Sequence, residues 1–210
     1  MSVKQWVAPL PIAKALLGVS LIFACAFSAL ADDSSDMASH AQHRGQMTTM
    51  STVQYAVPQV TLVRDDGKSI SLPEEMNDGR PVVLNFIFTS CGSICPLMSQ
   101  IFAQFQRRLG PDSHKVHLMS ISTDPQQDTP AQLTEYAHRF GAGPEWQHYT
   151  GTLDASLTAQ RAFDVYRGDK MSHTPVTLLR AAPGQPWRRI DGFVTPDDLL
   201  REYHQLLASK

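Results

Sequence analysis

PVVLNFIFTSCGSICP, residues 81 to 96, decides how this chain is read. Pro81 to Phe88 is a nearly unbroken apolar run of strand length, the pattern of a central strand buried on both faces. Two cysteines follow, Cys91 and Cys95, with three residues between them, and then Pro96. Beyond them Leu97, Met98, Ile101, Phe102, Phe105 and Leu109 recur as one stripe of a helix. Pro96 falls in the first turn of that helix, where a missing N–H costs nothing. The pair is therefore expected in a strand-to-helix loop, where open α/β sheets place their sites. A helix N-terminus favours the thiolate and lowers cysteine pKa. Both sulfurs are expected to be reactive or able to bind metal.

The three-residue spacing is wider than that of a usual redox pair. Pro96 is expected to push Cys95 away from the α-helical region, so that Cys91 to Cys95 reads as a loop capped by a helix. Such a loop can close into a disulfide, or it can hold two thiolates around a small ion. A strictly helical i, i+4 pair has Cβ atoms about 5–6 Å apart, wider than the roughly 3.5–4.5 Å of a disulfide. The bridge is expected to break more easily than a structural one. It also closes too short a loop to stabilise the fold much by chain entropy. Two thiolates are soft ligands that select Cu(I), and a third ligand extends the site to Cu(II).

Working outward, Val60 to Leu72 alternates around Asp66-Gly67, the signature of a β-hairpin. Lys115 to Ser122 reads as a second strand, and Thr129, Pro130 and Gln132 supply cap, N1 proline and capping-box glutamine for a helix. WQHYTG (146–151) reads as a short strand and LDASLTAQRAFDVY (153–166) as a helix. PVTLLRAA (175–182) and WRRIDGF (187–193) read as two strands, and TPDDLLREYHQLL (195–207) as a closing helix. This order describes an α/β layer with a mixed sheet. Asp124 and Asp128 read as turn and cap residues.

The chain has 210 residues, the length of one domain with its own core, and a net charge of −2. That charge gives no reason to expect nucleic acid or an acidic membrane surface as a partner. Residues 1–31 read as an export signal: Lys4 and Lys14, an apolar run from Ala15 to Phe27, and Ala29-Leu30-Ala31 before Asp32-Asp33. The alternative is an uncleaved membrane anchor, although the run is short against the about 17–25 residues that span a bilayer. Either form places the domain outside the cytoplasm. Residues 32–52 read as a flexible tether carrying Met37, His40, His43, Met47 and Met50. It is either an ordinary linker or a loose copper-collecting arm. Residues 53–210 form the folded domain.

The chain has eight histidines. His114, His138, His148 and His204 read as surface residues, and His117 alternates within a strand. His173 stands in MSHTPVTLL, just before a strand, with Thr174-Pro175 placed like the loop that faces the cysteines of thioredoxin-like folds. Met171 reads as a loop methionine, with an auxiliary soft ligand as the alternative.

FTSCGSICP resembles the F-T-x-C-x-x-x-C-P motif of the Sco/SenC copper chaperones. SISTDPQQDTPAQLTEYAHRF is similar to that family's D-P-x-x-D-T-P segment and the helix after it. His173 sits where the family places its histidine ligand, and the similarity runs from about Val60 to the C-terminus. The resemblance implies a thioredoxin-like fold, a central mixed sheet flanked by helices, here with an N-terminal β-hairpin extension. It implies Cys91, Cys95 and His173 as ligands of Cu(I) or Cu(II), in a periplasmic protein. It implies delivery to the copper-accepting subunit of cytochrome c oxidase or another exported cuproprotein, with other periplasmic copper carriers or thiol reductants as further partners. Ser172 stands where the family often has an aspartate. The alternative function is a thiol–disulfide oxidoreductase, in which Cys91 and Cys95 are catalytic and one attacks a partner disulfide while the other resolves the mixed disulfide.

Overall fold

The computed structural model describes residues 48–209. The expected leader at 1–31 and most of the expected tether lie outside the described residues. In chain order the elements are β1 (Thr49–Val53), β2 (Thr61–Arg64), β3 (Ser69–Ser71), α1 (Leu72–Met76), β4 (Val82–Ile87), α2 (Ile94–Leu109) and β5 (His117–Ser122). Then come α3 (Pro130–Phe140), β6 (Trp146–Gly151), α4 (Leu153–Ala162), β7 (Val176–Arg180), β8 (Trp187–Asp191) and α5 (Pro196–Ala208). Short 3-10 turns cover Gly110–Lys115 and Lys170–Ser172.

One eight-stranded mixed sheet runs in the order β1-β8-β7-β4-β5-β6-β2-β3. β4, β5 and β6 are parallel neighbours, and β7 pairs antiparallel to β4. Every residue of β4 and of β5 is buried, as the apolar run at 81–88 requires of a strand covered on both faces. Side chains alternate between two cores. Val82, Leu84 and Phe86 face a cluster that includes Ala159 of α4 and Phe163 just after it. Val83 faces the other, built on Met98, Phe102 and Phe105 of α2 with Leu199 and Tyr203 of α5. The β2–β3 hairpin joins the sheet at β6.

Three expectations change. Thr49–Val53, placed largely in the tether by sequence, pairs along the edge of β8, so the sheet begins before residue 53. The helix read over 153–166 ends at Ala162, where Asp164 adopts a left-handed φ of 51°. Cys95 is inside α2, which starts at Ile94. The proline after it restricts a residue already in the first turn, and burial of Cys95 in a cluster with Ile87, Phe88, Leu133 and Tyr136 fixes it there. The capping box of α3 forms as read: Thr129 Oγ1 accepts from Gln132 N, and the Gln132 side chain accepts from Thr129 N.

Candidate metal centre

Strand β4 carries the chain out of the core, and α2 carries it back. Cys91 lies on the loop between them, half-buried, and Cys95 in the first turn of α2, fully buried. Their thiols are free. The Cys95 backbone N–H donates to Cys91 Sγ at 3.4 Å. Burial pushes the Cys91 thiol up, but the N–H groups of Cys95 and Ser93, the Cys95 thiol and the Ile94 N–H outweigh it and leave the pKa below that of an ordinary thiol. Burial drives the Cys95 thiol far up; the Phe88 N–H offsets only part of this, and Cys91 and Asp128 add to it. The two sulfurs are thus unlike: Cys91 is the more acidic thiol, and Cys95 holds its proton more tightly.

Asp128 anchors the loop from below. It is fully buried, and its carboxylate accepts from Thr89 N (3.2 Å to each oxygen), Thr89 Oγ1 (2.6 Å) and Ser122 Oγ (2.6 Å). The cap of α3 is Thr129 instead. Asp128 therefore clamps the cysteine loop, a role that its place before a helix in the sequence concealed. Asp124 makes the expected turn with its carbonyl, which accepts from Gln127 N and Asp128 N, but its carboxylate pairs with Lys170.

His173 is buried just before β7, and its Nε2 lies 2.9 Å from the carbonyl oxygen of Phe86. A carbonyl only accepts, so Nε2 carries the proton and Nδ1 keeps the lone pair of the neutral ring. Burial lowers the His173 pKa; the Phe86 carbonyl opposes the shift, and Arg167 adds to it. Ile87 O accepts from Thr123 N on the β5 side of the strand. Backbone groups alternate edges along a strand, so Phe86 O and Phe88 N–H face the other side, toward β7. The Phe86 carbonyl holds the imidazole and the Phe88 N–H addresses the Cys95 sulfur. Histidine and thiol are attached to one strand edge two residues apart, about 7 Å of strand.

The structure brings Cys91 and Cys95 together and holds His173 on the Phe86 carbonyl of β4, the strand that leads to them. Among the described residues no three His, Cys, Asp or Glu side chains are drawn into a ready-made metal site. The donor set nonetheless suits a soft metal ion: one thiolate, one thiol that a metal would deprotonate, and a neutral imidazole oriented by a carbonyl on its other nitrogen, as metal-ligating histidines usually are. Met171 is 73% exposed and points to no shared site with them.

The other histidines divide differently from the sequence reading. His114, His138 and His204 are exposed as expected. His148 is fully buried instead, because β6 is covered on that face by Trp146 and Tyr136, whose rings lie 5.1 and 6.0 Å from the imidazole. His117 is buried and held by Gln147 Oε1 (2.8 Å) and Tyr149 OH (2.9 Å).

Residues 48–208 match the family model SCO1/SenC. A SCO1 protein homolog of Bacillus subtilis is 34% identical over 104 residues, 49% of this chain and 53% of that protein. The chain thus spans about half the length of this curated relative. The crystal structure of Arabidopsis thaliana ScoI with copper bound superposes with a TM-score of 0.62 at 26% identity, over 74% of this chain and all of that one. BsSco, described with a disulfide switch and as a member of the Sco family of cytochrome c oxidase assembly proteins, superposes with a TM-score of 0.63 at 25% identity. That match covers 76% of this chain and 98% of BsSco.

Proposed function

The chain belongs to the SCO1/SenC family, and from that premise we propose that it is a copper metallochaperone acting outside the cytoplasm. Its cargo is copper, held by Cys91, Cys95 and His173 and passed to the binuclear copper centre of cytochrome c oxidase. The similarity to a ScoI solved with copper and to a Sco protein of oxidase assembly supports the cargo and the recipient. The export signal read in residues 1–31 supports the compartment. The observations that support the ligand set are the contact of Cys95 N with Cys91 Sγ and a histidine whose Nε2–H is spent on Phe86 O, in the strand that leads to the cysteine loop.

The residues divide the work of binding. Cys91, the more acidic and more accessible thiol, makes the first bond to an arriving ion as its proton leaves. The ion then displaces the Cys95 proton, and the helix N-terminus stabilises the second thiolate as it forms. His173 approaches from the next strand as the third donor. Cys91 is half-exposed, so a partner's thiolate can reach the ion from solvent and take it. No chemical turnover is needed. Elemental analysis after dialysis tests the assignment: wild type retains one copper per chain, and Cys91→Ser and Cys95→Ser each retain none. Undiminished copper in both variants refutes it.

The asymmetry of the two thiols favours a second reading, dithiol reduction of a partner. Cys91 thiolate attacks a partner disulfide, one partner sulfur leaves as thiolate, and Cys95 displaces the other as it loses its proton. The partner disulfide is then two thiols, and Cys91–Cys95 is a disulfide that an external thiol reductant must reset. Thiol exchange that persists without metal and in His173→Ala supports this reading over the first.

A further inference from the structure

Apart from the His173 contact with Phe86 O, the segment that leads to His173 is tied down at one point among the described residues. Residues 167–172 make local contacts among themselves and their neighbours: Arg167 to Tyr166 O and Asp164, Met171 N to Asp169 Oδ1, Ser172 N to Asp169 O. Among the described residues, one ion pair or hydrogen bond leaves residues 167–172 for a distant part of the chain, from Lys170 Nζ to Asp124 Oδ2. The same ammonium lies 5.7 Å from the centre of the Phe88 ring, at the mouth of the cysteine loop. His173 follows three residues later and donates its backbone N–H to Lys170 O at 3.1 Å. The histidine therefore moves with the lysine.

The other end of the pair is rigid. Asp124 N donates to Ser122 Oγ at 3.0 Å, Ser122 Oγ donates to Asp128, and Asp128 holds Thr89, two residues before Cys91. A continuous polar chain thus runs from the cysteine loop through Asp128, Ser122 and Asp124 to Lys170. Asp124, Lys170 and His173 line one cavity of about 410 Å³, together with Arg167 and Tyr166. Lys170 lines that cavity, while residues 167–169 and 171–172 on either side of it are exposed.

We propose that the Lys170–Asp124 ion pair is a latch that holds the His173 segment against the cysteine loop, making Lys170 a positioning residue for the third copper ligand. The inference rests on the copper-binding reading above. Without the latch, the contact with Phe86 O is left to hold the imidazole, and the extra freedom lost on binding falls on metal affinity. Cu(I), which two thiolates hold well, is little affected; Cu(II), which needs the imidazole, is weakened.

The test compares Lys170→Met with wild type by chelator competition for Cu(II) and for Cu(I), and by amide hydrogen exchange of the apo protein. Lys170→Met is expected to weaken Cu(II) by up to about fivefold, the upper range for a part-exposed ion pair, to leave Cu(I) unchanged, and to speed exchange at the Ser172 and His173 amides but not at Cys95. The loss should vanish in a His173→Ala background, and the charge swap Lys170→Asp with Asp124→Lys should restore part of it. A wild type that depends on His173 for Cu(II) while Lys170→Met changes neither affinity nor exchange overturns the latch alone. The same loss in the His173→Ala background does so too. A wild type indifferent to His173→Ala overturns the copper site and the latch together.

Discussion

Two buried histidines at opposite ends of the sheet show what separates a structural imidazole from one that can take a ligand. His117 opens β5 at the far end from the cysteines. Its Nε2 faces both Gln147 Oε1 and Tyr149 OH, and Asp78 Oδ2 lies 3.2 Å from its Nδ1. Tyr149 in turn donates to Glu75, and Arg80 pairs with Asp78 and Glu145. The His173 ring meets the Phe86 carbonyl through its Nε2. Both rings are buried and both pKa values are lowered, mainly by burial. Burial is therefore not the difference. One ring has polar groups near both nitrogens; the other has one nitrogen oriented by the backbone of β4, the strand that leads to the cysteine loop.

The contrast predicts opposite responses to substitution. The largest effect belongs to the cysteines, whose replacement removes stoichiometric copper, as stated above. Next, His173→Ala should weaken Cu(II) by at least the about 10- to 100-fold that loss of even an outer-shell partner of a metal costs, with little change in the urea midpoint. His117→Ala should do the reverse. It removes the ring from Tyr149 and Gln147 and is expected to cost about 2–3 kcal/mol in urea unfolding, with copper affinity intact. A His117 variant that loses copper at full stability would erase the distinction.

Acid gives a smaller effect with a definite sign. The folded pKa of His117 lies below the unfolded value near 6.5. Its contribution to stability is full above the unfolded value and is lost as pH falls through the folded one. Wild-type stability should therefore decline on acidification below about 6.5, and His117→Gln should flatten that decline. Cys95 has the opposite sign. Its folded pKa is raised by burial, so its contribution is full below the ordinary thiol range and is lost as pH rises through and beyond it. Cys95→Ala should flatten the alkaline limb of the stability profile. Alkylation by iodoacetamide of the native protein should modify Cys91 first, since it is the exposed and more acidic thiol; preferential modification of Cys95 would contradict the asymmetry.

What the sequence disclosed follows the same physics. The apolar run of β4 and the helical stripe of α2 are periodic signals, and together they place the cysteines on a strand-to-helix loop without any structure. The cap of α3 is local chemistry and is equally legible. The edge strand Thr49–Val53 is not, because TMSTV is polar and becomes a strand only by pairing with Trp187 to Asp191 in β8. His148 was misplaced for a related reason: its burial comes from α3 and from neighbouring aromatic rings, not from alternation within WQHYTG. Asp128 reads as a helix-start residue, and only folding brings Thr89 to it. Lys170 carries no motif at all, and its partner is 46 residues away.

The central claim is that both sulfurs and the imidazole at 173 bind one metal ion. X-ray absorption at the copper edge of the Cu(II)-loaded domain tests it most directly. The account predicts two sulfur scatterers and one imidazole in the wild type, with the imidazole signal lost in His173→Ala and the sulfurs kept. A copper shell of nitrogen and oxygen alone, or an imidazole signal that survives His173→Ala, contradicts it.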